Sequence, residues 1–139
     1  MRYESAVLID APPSRVWEIF SDVARWPEWM PTIEALDLLD PGPLRVGARA
    51  RIRQPRLPVA VWRVTELADG HRFTWASGAF GLRTEGIHVV EATPGGTRAL
   101  SVIDQTGFLA PMADLLMGRL TRRYLALEGE SLKARSERA

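Results

Sequence analysis

Two residues on neighbouring predicted strands have the types and the spacing for acid–base chemistry. His88 lies in EGIHVVE and Asp104 in TRALSVIDQT, on either side of a Pro-Gly-Gly turn at residues 94–96. If this turn is centred on its middle residue, His88 lies opposite Val102, and Asp104 lies opposite Gly86. The imidazole and the carboxylate would then be diagonal neighbours on one face, roughly 7–8 Å apart. Such a pair could transfer protons near neutral pH, so His88 and Asp104 are candidate catalytic residues.

This pairing depends on strand register, because a slip of one residue would put the two side chains on opposite faces of the sheet. The alternative is a histidine that is only structural, hydrogen-bonded within or outside the sheet. Both interpretations stay open at this point.

The residue content excludes several other kinds of site. The chain has no cysteine, which excludes thiol catalysis, disulfide bonds and cysteine-ligated metals. It has two histidines, and His71 follows the predicted hairpin turn Asp69-Gly70, where we expect it to be exposed. The sequence GAFG at residues 78–81 lacks the spacing of a phosphate-binding loop. We therefore expect no metal ion and no other cofactor.

The charge pattern gives little support for nucleic-acid binding. The net charge is +1, so no strong overall field would attract a polyanion. Arg49, Arg51 and Arg53 alternate with small apolar residues, which indicates a solvated outer face of a strand. A second basic group, Arg119 to Arg123 on the last helix, could at most support peripheral contact with an anionic membrane.

The pattern of apolar residues predicts an α+β protein. A strand at residues 3–9 precedes a short helix with Val16, Trp17 and Phe20 on its apolar side, and a second helical turn that ends at Trp26-Pro27. Six further strands follow at intervals of roughly ten residues, which is typical of an antiparallel meander. From Phe108 onward the period changes to three and four residues, and this predicts one long helix ending near Arg135.

The long helix is apolar on more than one face, which predicts how it packs. Its main stripe consists of Leu109, Ala113, Leu116, Leu120, Tyr124 and Leu127. We expect the sheet to curl around this helix, with the two short helices closing one end. The space between sheet and helix is then either filled by large side chains or left as a cavity.

Several segments resemble one known superfamily in order and spacing. They are SAVLIDAPPSRVWEIFSDVARWPEWMPTI, GARARIRQP, WRVTEL, FTWAS and GGT. Together they resemble the polyketide cyclase/dehydrase and START-like superfamily, whose helix-grip fold is also seen in birch-pollen allergen proteins. The resemblance implies a single domain over residues 1–139, with a seven-stranded curved antiparallel sheet around a long C-terminal helix and two short helices between strands 1 and 2.

The resemblance implies a cavity but no particular reaction. We expect binding of a small hydrophobic molecule such as a lipid, a quinone or a polyketide-like aromatic. One alternative is a cyclase- or dehydratase-type enzyme that uses His88 and Asp104, and the other is a protein-interaction module with a filled core, as in co-chaperones. The expected ligand-binding residues are Trp29, Met30, Trp62, Phe73, Trp75, Phe80, His88, Met112, Leu116 and Leu120.

The sequence also bears on the cellular location of the protein. The longest early apolar run, AVLI at residues 6–9, is too short for a signal peptide or a membrane span. Together with the lack of cysteine, this indicates a cytoplasmic protein. The sequence leaves the oligomeric state and the identity of the ligand open.

Overall fold

The computed structural model describes residues 1–138, which form one antiparallel sheet and three α-helices. The strands are β1 Arg2–Ile9, β2 Ala35–Leu38, β3 Arg49–Arg53, β4 Ala60–Ala68, β5 Arg72–Ala79, β6 Leu82–Thr93 and β7 Gly96–Thr106. The helices are α1 Pro13–Ser21, α2 Trp26–Trp29 and α3 Ala110–Glu137, with a 3-10 turn at Val23–Arg25. The predicted order of elements is therefore confirmed.

All seven strands belong to one sheet in the order β1-β7-β6-β5-β4-β3-β2. Each neighbouring pair is antiparallel. β1 forms one edge of the sheet and pairs with β7, and β2 forms the other edge and pairs with β3. A register shift between Val64 and Glu66 interrupts the pairing of β4 with β5, and such irregularities increase local twist and bending. The concave face holds the helices, which is the helix-grip arrangement that the sequence predicted.

The tryptophan-rich connection is more helical than its prolines suggested. Residues Trp26–Trp29 form the single turn α2 directly after the 3-10 turn. Pro27 lies in the first turn of α2, where a residue needs no hydrogen-bonded N–H. The prediction that helical structure ends at Trp26-Pro27 is therefore wrong.

An aromatic core joins the short helices to the sheet. Phe20 of α1, Trp26 of α2 and Phe73 of β5 are almost fully buried, and their ring centroids lie 6.2–6.3 Å apart. The indole N–H of Trp26 donates to the carbonyl oxygen of Phe20 over 3.1 Å, which satisfies the polar atom of this buried side chain. The short helices are therefore fixed at one end of the concave face.

The long helix packs with a different face from the one that the leucine pattern predicted. Its buried residues are Ala110, Gly118, Leu125, Gly129, Leu132 and Ser136, whereas Leu116 of the predicted stripe is 71% exposed. A Cβ at Gly129 would lie 3.7 Å from Val7 of β1, so this contact favours small residues. Close approach to β1, rather than leucine spacing, determines which face of α3 is buried.

Candidate functional site

A cavity of about 360 Å³ lies between the concave face of the sheet and α3. This volume falls in the range of small-molecule sites. The sheet contributes residues from β3 to β7, and α3 contributes Met117, Thr121, Tyr124, Leu125 and Glu128. The expected space between sheet and helix is therefore present in the described structure.

The helical wall of the cavity consists of residues that the sequence analysis did not select as ligand-binding residues. Met112 and Leu116 are 56% and 71% exposed, and neither they nor Leu120 line the cavity. The prediction of these three side chains as cavity wall is wrong. Because α3 packs against β1 through small residues such as Gly129, the neighbouring helical face lines the cavity. This face combines apolar and polar side chains, among them Thr121 and Glu128.

The aromatic wall was predicted in part. Trp62 and Trp75 line the cavity with their ring centroids 5.9 Å apart, as expected. Phe73 and Met30 are instead enclosed in the core, where they are 0% and 1% exposed. Trp29 packs at the margin of that core and does not line the cavity.

Trp26 takes the place that the sequence analysis gave to Trp29. It lies at the end of the cavity and also contacts Trp75, with ring centroids 5.3 Å apart. The two tryptophans occupy opposite ends of the single turn α2. A turn predicted to end at Trp26 could not show which of the two faced the sheet.

Phe80, which was expected to bind the ligand, lies outside the cavity. It occupies the turn between β5 and β6, is 86% exposed, and contacts Phe108 edge to face at 5.4 Å. Together with Met112, Leu115 and Leu116, these two phenylalanines are the large exposed apolar residues near the start of α3, which we call the apolar tip. No helix in residues 1–138 is long and apolar enough to cross a membrane.

The His88–Asp104 pair predicted from the sequence does not form. His88 lies opposite Ser101, and Asp104 lies opposite Glu85, which differs by one residue from the predicted register. Thr93 pairs with Gly96 across a two-residue turn, so Gly96 starts β7 instead of belonging to the turn. Two-residue connections are the commonest in hairpins.

The corrected register separates the two side chains across the sheet. His88 faces the cavity, whereas Asp104 is on the other face, 3.8 Å from the guanidinium of Arg2 in an exposed ion pair. The prediction of this pair as proton-transfer partners is therefore wrong. The expectations that His71 is exposed and that the arginines of β3 face outward are confirmed.

His88 is buried among aromatic rings and is uncharged near neutral pH. Its ring stacks on Phe73 with a centroid distance of 4.2 Å. Burial lowers the pKa of His88 from 6.5 to about 3, although the nearby backbone carbonyl of Phe73 raises it slightly. The Nδ1 atom lies 3.4 Å from that carbonyl oxygen. With the proton on Nδ1, Nε2 is an acceptor.

Glu128 is the ionisable group that the sequence analysis missed. It lies on the cavity face of α3, three residues after Leu125 and four before Leu132, both of which are buried. Burial raises the pKa of Glu128 from 4.5 to about 8, and the nearby Thr32 hydroxyl lowers it to a smaller extent. The carboxyl group is therefore mostly protonated at pH 7. The available signal was the spacing of Glu128, which lies three residues after Leu125 and four before Leu132 and therefore shares their helical face.

The lining of the cavity contains no basic side chain other than His88, and His88 and Glu128 are mostly uncharged near pH 7. Its only ionisable residues are His88, Tyr124 and Glu128, with no lysine, arginine or aspartate. The Tyr124 hydroxyl donates to the carbonyl oxygen of Pro55. The cavity therefore provides no cation to pair with an ionised carboxylate or phosphate.

A second cavity of about 300 Å³ lies beside α1 and the β2–β3 connection. Its carboxylates include Asp40, which accepts hydrogen bonds from Arg49, and Asp69, which accepts one from the Trp17 indole. These groups are therefore already partnered within the protein. Residues 1–138 contain no group of three or more histidine and acidic side chains placed to hold a metal ion.

Sequence comparison matches the chain to one family. The family model described as "Polyketide cyclase / dehydrase and lipid transport" matches residues 1–137. No curated protein sequence matches the chain.

Solved structures with the same fold are distant in sequence. The Zhui aromatase/cyclase from Streptomyces sp. R1128 superposes with a TM-score of 0.81 at 16% identity, covering 99% of this chain and 94% of that one. A START superfamily protein from Mycobacterium smegmatis gives 0.74 at 19% identity, with 98% and 97% covered. Ara h 8.0201 gives 0.73 at 10% identity, with 98% and 97% covered. At these identities, the likeness concerns the fold.

Proposed function

Because the chain belongs to the polyketide cyclase/dehydrase and lipid transport family, we propose that it binds a small, uncharged and mostly apolar molecule in the cavity between the sheet and α3. The observation that carries this proposal is the 360 Å³ cavity itself, whose wall includes Trp62, Trp75 and Met117. An apolar lining with a few polar groups is the usual composition of a small-molecule site.

Transfer of apolar surface from water would drive the binding. Each Å² of apolar ligand surface removed from water contributes about 25 cal/mol. A ligand that buries a few hundred Å² would thus gain several kcal/mol, less the cost of immobilising it. Gly86 helps to keep the space open, because a Cβ there would lie 3.1 Å from the Trp75 indole nitrogen.

The chemistry of the lining narrows the range of ligands. An ionised fatty acid or a phosphate group would have to leave water for a wall without a cation, and such a transfer is costly. Quinones and polyketide-like aromatics are uncharged and carry hydrogen-bond acceptors. They fit the lining better than an anionic lipid does.

The two alternative functions lose support. A cyclase- or dehydratase-type reaction was expected to use His88 and Asp104 together, and these residues lie on opposite faces of the sheet. A protein-interaction module was expected to have a filled core, whereas the described structure holds an open cavity. A peripheral contact with membranes, a cytoplasmic location and a single domain over residues 1–139 stay predictions.

A pair of phenylalanine substitutions on α3 tests the proposal. Thr121→Phe would fill the cavity, whereas Ala126→Phe would place the same side chain at an exposed position of the same helix. With 2-acetylnaphthalene as the probe in calorimetric or NMR titrations, we expect Thr121→Phe to weaken binding at least about tenfold, because it occupies the volume of the ligand. Ala126→Phe should bind as the wild type does.

The same experiment has a clear contrary result. Equal affinity of both variants for the probe would place its site elsewhere and overturn the proposal. Native mass spectrometry of protein purified from its own cells gives an independent check, because a retained uncharged adduct is expected in the wild type and not in Thr121→Phe.

A further inference from the structure

We propose that Glu128 is the polar anchor of the cavity, and that the ligand is an uncharged, mostly apolar compound whose carbonyl oxygen accepts a hydrogen bond from the Glu128 carboxylic acid. This inference rests on the proposed function, because it specifies the ligand class of the same cavity. It adds a binding role for a residue that no motif or pattern in the sequence had singled out.

The position of Glu128 gives the first argument. Its side chain lines the cavity, while Leu125 and Leu132 one turn to either side are buried. Burial is the largest influence on its pKa, and no basic side chain contributes to it. An acid in such surroundings keeps its proton, and a protonated carboxyl group is a hydrogen-bond donor.

The absence of a charged partner gives the second argument. Within residues 1–138 no arginine or lysine forms an ion pair with Glu128. The nearby Thr32 hydroxyl is a neutral neighbour, and it lowers the pKa of the Glu128 carboxyl group less than burial raises it. Thr32 is 1% exposed and does not line the cavity. A ligand in the cavity would therefore meet the Glu128 carboxyl group and not the Thr32 hydroxyl.

The other ionisable groups around the cavity do not compete for this role. His88 on β6 stays neutral between pH 6 and pH 9, because burial lowers its pKa to about 3. The Tyr124 hydroxyl on α3 already donates to the backbone at Pro55. The segment with Thr32 and the facing strands β3 to β5 contribute no charged side chain to the lining. Glu128 is thus the group whose protonation changes the cavity between pH 6 and pH 9.

Two probes of the same shape test the assignment. The ketone 2-acetylnaphthalene and the alkene 2-isopropenylnaphthalene differ in whether an oxygen or a CH₂ group completes the double bond. Water solvates the ketone better, so a cavity without a donor would prefer the alkene. We expect the wild type at pH 6 to bind the ketone about three- to tenfold more tightly, as one hydrogen bond allows.

Variants and pH separate Glu128 from general effects of the cavity. Glu128→Leu should reverse the preference in favour of the alkene. Glu128→Gln keeps a donor, so it should retain the ketone preference and hold it unchanged from pH 6 to pH 9. The wild type should lose that preference over the same interval. Glu130→Gln, at an exposed position of the same helix, should behave as the wild type.

Each contrary result has a distinct meaning. Equal ketone and alkene affinities in the wild type and in Glu128→Gln would overturn the anchor while leaving the apolar cavity as the binding site. A ketone preference that persists at pH 9 in the wild type would also overturn it, and this test holds even if Glu128→Leu fails to fold. If the wild type binds neither probe, the proposed function fails as well.

Discussion

His88 and Glu128 are a base and an acid that the same cavity holds in their uncharged forms. Burial shifts the two pKa values in opposite directions, downward to about 3 for the histidine and upward to about 8 for the glutamic acid. Both shifts have one cause, because a low-dielectric surrounding disfavours whichever form carries a charge. Near neutral pH these two polar groups of the cavity are therefore mostly uncharged.

These two shifts predict a stability profile with a plateau. Unfolded Glu128 loses its proton near pH 4.5 but the folded protein keeps it to about pH 8, so stability falls as the pH rises through this interval. Unfolded His88 gains a proton near pH 6.5 but folded His88 only near pH 3. Stability therefore falls as the pH drops from 6.5 to about 3. Between pH 4.5 and 6.5 the two opposite changes in the free energy of unfolding cancel. Between pH 6.5 and 8 only Glu128 contributes, and between pH 3 and 4.5 only His88, each by at most about 1.4 kcal/mol per pH unit.

Urea unfolding of the wild type, Glu128→Gln and His88→Phe at several pH values checks this profile. Relative to the wild type, Glu128→Gln should lose less stability between pH 6.5 and pH 8, and His88→Phe should lose less below pH 4.5. Differences between variant and wild type remove the contributions of the other titrating groups. Parallel profiles for all three proteins would contradict the assigned protonation states.

The sequence predicted one of these two residues. His88 was recognisable because a histidine in an alternating apolar strand is unusual enough to examine. The prediction of Asp104 as its partner was wrong because the turn at residues 94–96 determines the strand register. A Pro-Gly-Gly sequence is compatible with two positions of this turn. Glu128 was missed because an acid in a charged helical segment, two residues before Glu130, looks like part of a solvated face.

At the scale of elements, contacts at two places along α3 hold this helix against β1. Tyr3 of β1 donates a hydrogen bond to the Asp114 carboxylate of α3, and the Arg122 guanidinium lies 5.0 Å from the centre of the tyrosine ring. Burial and the Asp114 carboxylate raise the pKa of Tyr3 to about 12. Farther along, Gly129 brings the helix backbone close to Val7.

Two glycines on α3 predict opposite results for the same substitution. At Gly129 an added Cβ would meet Val7 at 3.7 Å, an ordinary contact, so Gly129→Ala should stabilise the protein by about 0.5–1 kcal/mol through higher helix propensity. At Gly118 the added Cβ would lie 2.9 Å from the Asp114 carboxylate and 3.5 Å from the Tyr3 hydroxyl. Gly118→Ala should therefore disturb that hydrogen bond and bring no net gain.

Thermal unfolding of the two alanine variants measures this difference directly. A higher midpoint for Gly129→Ala and an equal or lower one for Gly118→Ala is the expected result. Equal increases in both would mean that the Tyr3–Asp114 contact is not constrained by the small residue at position 118.

The order of the elements was predictable from the sequence, but their orientation about their own axes was not. Strand alternation, turn residues and the change of period after Phe108 gave the sequence of strands and helices. The face of α3 that packs inward is apolar only in part, since Asp114 and Glu128 lie on it and Leu115 and Leu116 do not. Apolar periodicity locates a buried face only where close backbone contact and cavity lining do not set other requirements.

At the scale of the whole molecule, one end of the concave face is filled and the rest is open. The aromatic cluster of Phe20, Trp26 and Phe73 occupies the end below the short helices, while the cavity lies between the middle of the sheet and α3. The predicted curling of the sheet around the helix is therefore confirmed, and the cavity is what a long helix held off a bent sheet leaves behind.

The most direct measurement is an NMR titration of the uniformly ¹⁵N-labelled wild type with 2-acetylnaphthalene. We expect saturable changes, with one site, at the indole N–H signals of Trp62 and Trp75 and at the amide of Thr121, all of which belong to the cavity. Changes confined to the apolar tip around Phe80 and Phe108, or no saturable change at all, would contradict the account.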